Sequence, residues 1–197
     1  MISIGLTGGI ASGKSEVGRM LAARGAYVVD ADVVAHDTYK PGGEAYNAIV
    51  DAFGAEVLGD YGVIDRSKLG AIVFGDAARL KRLTDIVWPA TRRRVEALMR
   101  EQTAAGKKVF VIEAPLLIEA GWRDAVDEVW LVRSGAEAVR RRLATRGLKP
   151  DEIEERIAAR SLPDASQVDI VIDNDADIAA LEARVEAAWQ ALLRRAV

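Results

Sequence analysis

Residues 1–20 read MISIGLTGGIASGKSEVGRM. A short apolar run from Ile2 to Leu6 leads into Gly8-x-x-x-x-Gly13-Lys14-Ser15, and a helical pattern starts near Lys14. Strand, glycine-rich turn and helix in that order make a loop that holds phosphate. Its glycines allow the positive φ that turns successive backbone N–H groups inward. The helix that follows aims its positive dipole end at the same anion. Lys14 is expected to bridge the β and γ phosphates of a nucleotide, and the Ser15 hydroxyl to ligate Mg²⁺. The loop alone leaves open what becomes of the phosphate.

Working outward, Val- and Ile-rich runs recur at Ile2–Leu6, Tyr27–Val29, Val109–Ile112, Glu128–Val132 and Asp169–Ile172. Runs of this kind suit buried parallel strands. Helical spacing fills Glu16–Arg24, Pro89–Ala105, Ala136–Arg146 and Ile178–Leu193. The alternation predicts an α/β fold of the P-loop NTPase type, with a mainly parallel five-stranded sheet between layers of helices. Residues of about 33–105 show no convincing strand and read as a helical insertion between the second and third strands. The expected organisation is one domain, with a core of about 1–32 and 106–197 and a helical lid at about 145–163.

A chain of 197 residues is long enough to bury one such core. A net charge of -3 gives no general pull toward nucleic acid or an anionic membrane, so neither is expected as a partner. With no cysteine, disulfides and thiolate chemistry are excluded. No basic leader precedes Ile2, and no uncharged apolar run approaches the length of a membrane span, so a soluble cytoplasmic protein is expected.

Two carboxylates, Asp30 and Asp32, fall where the second strand runs out, on the sheet edge that carries the phosphate loop. Either can cap the helix starting near Val33. Either can also accept the proton of an attacking hydroxyl, with Asp32 the better candidate base. Further on, Arg142 and Arg146 are spaced i, i+4 and suit bidentate gripping of phosphate oxygens, whereas Arg140 and Arg141 read as a solvated face. Glu113 ends the third strand, where a carboxylate can hold Mg²⁺ through water, contact substrate or cap a helix. His36 is the only histidine, and is either structural or a substrate contact.

Taken together, these residues resemble the dephospho-coenzyme A kinase family over nearly the whole chain. The resemblance is carried by Leu6–Ser15, Val29–His36, Phe53-Gly54 and Ile64–Leu69. It continues in Val73-Phe74, Pro115–Glu119, Arg142 with Arg146, and Val171–Asn174. It implies transfer of the ATP γ-phosphoryl group to the ribose 3′-hydroxyl of dephospho-coenzyme A, the last step of coenzyme A synthesis. On that resemblance, Gly9, Ile10, Ala11, Ser12, Gly13, Lys14, Ser15 and Glu16 would bind ATP with Arg142 and Arg146. Asp32 would be the base, with Lys14 and Arg142 as the other catalytic groups. Thr7, Asp32, His36, Pro115 and Leu116 would meet the acceptor, whose pantetheine arm the helical insertion would hold. The chain departs from the family's usual pattern at Trp88, where His is common, at Ala11, where Gly is, and at Glu113 and Arg160.

Two other destinations for the phosphate are consistent with the loop. One is a different small acceptor such as a nucleoside monophosphate. The other is a nucleotide-dependent switch, which would want a guanine-reading Asn/Thr-Lys-x-Asp segment that this chain lacks.

Overall fold

The computed structural model describes residues 1–158 and 162–195; Arg160 lies outside them. The described chain forms two compact units, Met1–Val29 with the chain from Gln102 onward, and Asp30–Glu101.

The first unit is built on β1 (Ile2–Gly8), α1 (Lys14–Ala23) and β2 (Tyr27–Asp30), whose last residue opens the second unit. The second unit carries α2 (Ala31–Thr38), α3 (Tyr46–Phe53), α4 (Arg66–Val73) and most of α5 (Ala77–Ala104). The chain then returns to the first unit through β3 (Val109–Glu113), β4 (Glu128–Arg133), α6 (Ala136–Thr145), α7 (Pro150–Ala158), β5 (Ile170–Asp173) and α8 (Ile178–Arg195).

The sheet order is β2-β3-β1-β4-β5, and β1–β3, β1–β4 and β4–β5 all pair in parallel. All five strands lie within two residues of the apolar runs in the sequence. Alternation along β1 assigns its two faces. Ile4 and Leu6 enter a core with Val111, Trp130, Val132 and Ile172, covered by Val17 and Leu21 of α1 and by Leu181, Val185, Trp189 and Leu192 of α8. The α8 residues recur at helical spacing, which turns a single stripe of that helix onto the sheet. Each such side chain stabilises the fold by about 1.5–3 kcal/mol. On the opposite face, Ser3 Oγ donates to Asp127 Oδ2 at 2.7 Å, and Gly5 leaves room for Leu117 and Val126. β1 is the middle strand, so the loop at its carboxyl end sits where α/β sheets take ligands.

The second unit has its own core, in which Ile49, Phe53, Val57, Ile64, Leu69, Val73 and Val87 are buried together. Aspartates start α2, α4 and α5: Asp30, Asp65 and Asp76 each accept two backbone N–H groups of the following turn. Within it, strand-like pairing among the described residues is limited to an isolated bridge between Leu58 and Ile64. One boundary differs from the sequence expectation. Helix α5 begins at Ala77, not Pro89, and passes through the proline. Pro89 removes one N–H from the helical ladder, which normally ends a helix. Here burial of Val87 and Ala90 just before and after it holds the helix together.

Candidate active site

Between β1 and α1 the chain adopts the geometry that an anion cradle requires. Ala11 and Gly13 have left-handed φ values of 53° and 91°, so peptide N–H groups turn to one side of the loop. Gly13 caps α1, and the N–H groups of Glu16 and Val17 bond back to its carbonyl at 3.0 and 3.1 Å. Over the loop lies a cavity of about 640 Å³ lined by Gly8 through Glu16, Arg19, Pro115, Arg146 and Arg156. A cavity of this volume accommodates a nucleotide-sized ligand.

Lys14 and Ser15 project from the first turn of α1 and meet the end of β3. Lys14 Nζ donates to Glu113 Oε1 at 2.9 Å, and Ser15 Oγ donates to the same oxygen at 2.6 Å. Both charged side chains are largely buried, at 14% and 9% exposure. Hydroxyl and carboxylate oxygens are the hard donors that Mg²⁺ prefers, so this pair fits that ion. Among the described residues, no group of three or more His, Cys, Asp or Glu can hold a metal on its own. A cation at Ser15 would therefore complete its shell with phosphate oxygens and water.

Arg142 and Arg146 are not equivalent. Arg146 lines the cavity with Arg156 of α7. Arg142 instead donates into the outer side of the loop: Nη1 to Ala11 O at 3.0 Å and to Ser134 Oγ at 2.8 Å, and Nη2 to Asn174 O at 2.7 Å. Thr7 is buried, and its hydroxyl donates to Pro115 O at 3.1 Å; Leu116, next in the chain, is 45% exposed. Ser12 Oγ is buried with no hydrogen-bond partner.

In the second unit, the two aspartates separate. Asp30 is the cap of α2, its Oδ1 accepting the N–H groups of Asp32 and Val33 at 2.8 and 3.4 Å. Asp32 stands in the first turn, so capping is not its task. One helical turn further, His36 packs edge-on against Tyr39 at 5.1 Å between ring centroids, and its Nδ1 is buried without a partner. Burial raises the Tyr39 hydroxyl above its ordinary value. Trp88 precedes Pro89 inside α5.

Comparison with known proteins is decisive at the level of family. The sequence model of the dephospho-CoA kinase family matches residues 2–180. The chain belongs to that family. Dephospho-CoA kinase of Geobacter sulfurreducens is 47% identical over 94% of this chain and 96% of its own. Dephospho-CoA kinase of Symbiobacterium thermophilum is 44% identical over 95% of this chain and 80% of its own. The crystal structure of a Thermus thermophilus protein is 33% identical and superposes with a TM-score of 0.78, over 98% of this chain and 97% of that one. As a P-loop kinase of the dephospho-CoA kinase family, the chain uses ATP.

Several residues around the loop and its cavity have no role legible in the sequence of this member of the dephospho-CoA kinase family. Arg156 and Arg19 line the cavity, yet each sits in a charge-rich helical stretch that reads as solvated surface. Ser134 and Asn174 meet the loop only in three dimensions, and nothing in their local sequence reports it.

Proposed function

We propose that this chain phosphorylates the ribose 3′-hydroxyl of dephospho-CoA with ATP, giving CoA and ADP, in the cytoplasm. The observation that carries the reading is the left-handed phosphate loop with Lys14, Arg146 and Arg156 around one cavity. The family adds the acceptor.

Phosphoryl transfer asks for alignment and charge neutralisation more than for covalent chemistry by the protein. In this reading, the loop N–H groups from Gly9 to Glu16 seat the ATP phosphates. Lys14 leaves Glu113 for the nucleotide, and Arg146 and Arg156 face the transferring group. Arg142 acts on the same phosphates by holding the loop. Ser15 and Glu113 would hold Mg²⁺, which supplies positive charge against the phosphate oxygens. Asp32 orients the acceptor hydroxyl and takes its proton, a role supported by Asp30 being the cap. Thr7, His36, Pro115 and Leu116 contribute to the acceptor side, and residues of about 33–105 hold the pantetheine arm. Closure by residues of about 145–163 excludes water as a competing acceptor.

Purified protein given ATP, Mg²⁺ and dephospho-CoA should yield CoA, seen by mass spectrometry as one added phosphate. A panel including nucleoside monophosphates should show dephospho-CoA ahead in kcat/KM. No CoA at any substrate level, or a clear preference for a nucleoside monophosphate, would overturn the assignment.

A further inference from the structure

From outside the phosphate loop, Asn174 donates to the Ser12 carbonyl, and two further polar side-chain atoms lie around the same oxygen. Asn174 Nδ2 lies 2.8 Å from Ser12 O, Ser134 Oγ 3.2 Å and Arg142 Nη1 3.4 Å. The three residues also brace each other, since Ser134 Oγ lies 2.9 Å from Asn174 O and accepts from Arg142 Nη1 at 2.8 Å. Asn174 is 7% exposed. A Cβ added at Gly13 would run into its amide.

The chemistry of an anion cradle explains why these contacts are needed. Turning N–H groups inward sends the intervening carbonyls outward. An outward carbonyl with no donor is destabilised if buried, and a flip of the peptide relieves it. Flipping the Ser12–Gly13 peptide would turn one N–H away from the phosphate. The residues flanking Ser12, Ala11 and Gly13, are already left-handed, so the loop needs an external hold to keep this conformation before nucleotide arrives.

We infer that Asn174, braced by Ser134 and Arg142, is a positioning residue for ATP that locks the Ser12 carbonyl outward and so keeps the loop N–H groups aimed at phosphate. The amide is suited to the task, because it donates from Nδ2. An aspartate of the same shape would set an anionic oxygen against the carbonyl and push the peptide toward the flipped state.

The inference rests on the kinase reading only for its rate measurements; nucleotide binding is read separately. Asn174→Ala and Asn174→Asp are compared with Ser134→Ala, which removes one brace and leaves the buried amide in place. KM for ATP should rise by about tenfold in Asn174→Ala, more in Asn174→Asp and by about threefold in Ser134→Ala. KM for dephospho-CoA should stay within about twofold, and the thermal shift on adding ATP should shrink in the same order. A merely structural role would lower the melting temperature and leave KM for ATP alone. KM for ATP within twofold of the unmodified protein in both Asn174→Ala and Ser134→Ala, or an equal rise for both substrates, would overturn the inference. If the unmodified protein makes no CoA while the variants lose the ATP-induced shift, the acceptor assignment fails and the role of Asn174 stands.

Discussion

Lys14 Nζ lies 2.9 Å from Glu113 Oε1, the oxygen that also accepts the Ser15 hydroxyl at 2.6 Å. A single carboxylate oxygen thus engages the two side chains that the motif reserves for phosphate and cation. Replacing Glu113 by Gln keeps the shape and removes the charge opposite Lys14. Loss of the charged partner should lower nucleotide-free stability by about 1–3 kcal/mol. Saturating ATP should restore more stability than it adds to the unmodified protein, because phosphate becomes the partner that Lys14 lacks. Thermal denaturation with and without ATP measures both, and an identical ATP shift in the two proteins would refute the exchange of partners.

Asp32→Asn should separate binding from turnover. If Asp32 accepts the hydroxyl proton, kcat should fall by about 10²–10⁴ while affinity for ATP stays near normal. Near-normal turnover would remove Asp32 from the chemistry.

Gly13→Ala and Gly25→Ala form a matched pair. Both positions have strongly positive φ, but only at Gly13 does an added Cβ meet another residue, the Asn174 amide. Gly25→Ala should lose about 1–2 kcal/mol of stability and keep activity. Gly13→Ala should also weaken ATP binding by more than about tenfold, since the clash displaces the donor at Ser12. Equal ATP affinities in the two variants would contradict the coupling of Gly13 to Asn174.

Arg140 on α6 and Glu154 on α7 make a two-pronged pair at 2.6 and 2.9 Å. The Arg140 hydrogen bond holds the Glu154 carboxyl below its ordinary range. A depressed carboxyl value means that the pair's contribution is present above the unfolded value and lost as pH falls through the folded one. The link should therefore persist at neutral pH and open only on acidification below the usual glutamate range. NMR titration should find the Glu154 carboxyl displaced back upward in Arg140→Ala. An unchanged titration would show that the pair does not form in solution.

Much of the framework is legible in the sequence, for a physical reason. Buried parallel strands must be apolar along their whole length, and a phosphate loop must place glycines at fixed offsets, so both leave local signals. Asp30 and Asp32 share the local chemistry of a strand end, and although Asp32 is the better candidate base from sequence, either can cap the next helix; the bonds from Asp32 N and Val33 N identify Asp30 as the cap. The start of α5 was hidden by Pro89, whose local preference yields to the packing of Val87 and Ala90. Arg142 and Arg146 share a helical face in projection, yet one grips the loop and the other lines the cavity. Asn174 closes a stretch that carries the family resemblance, but its contact with the loop is not legible locally, because Ser12 lies 162 positions away.

That separation sets an order of events in the making of the protein. The phosphate loop leaves the ribosome well before the amide that secures Ser12, which is made 162 residues later. Its strand, β1, must also wait for β3 and β4 on either side. At about 5–20 residues per second, synthesis leaves the loop without its clasp for roughly ten seconds or more. A product truncated before Asn174 would keep the full glycine-rich motif and lack the residue that holds it in shape. Competence to hold nucleotide thus arrives only once Asn174 has been made, which makes ATP binding a report on whether synthesis passed that residue.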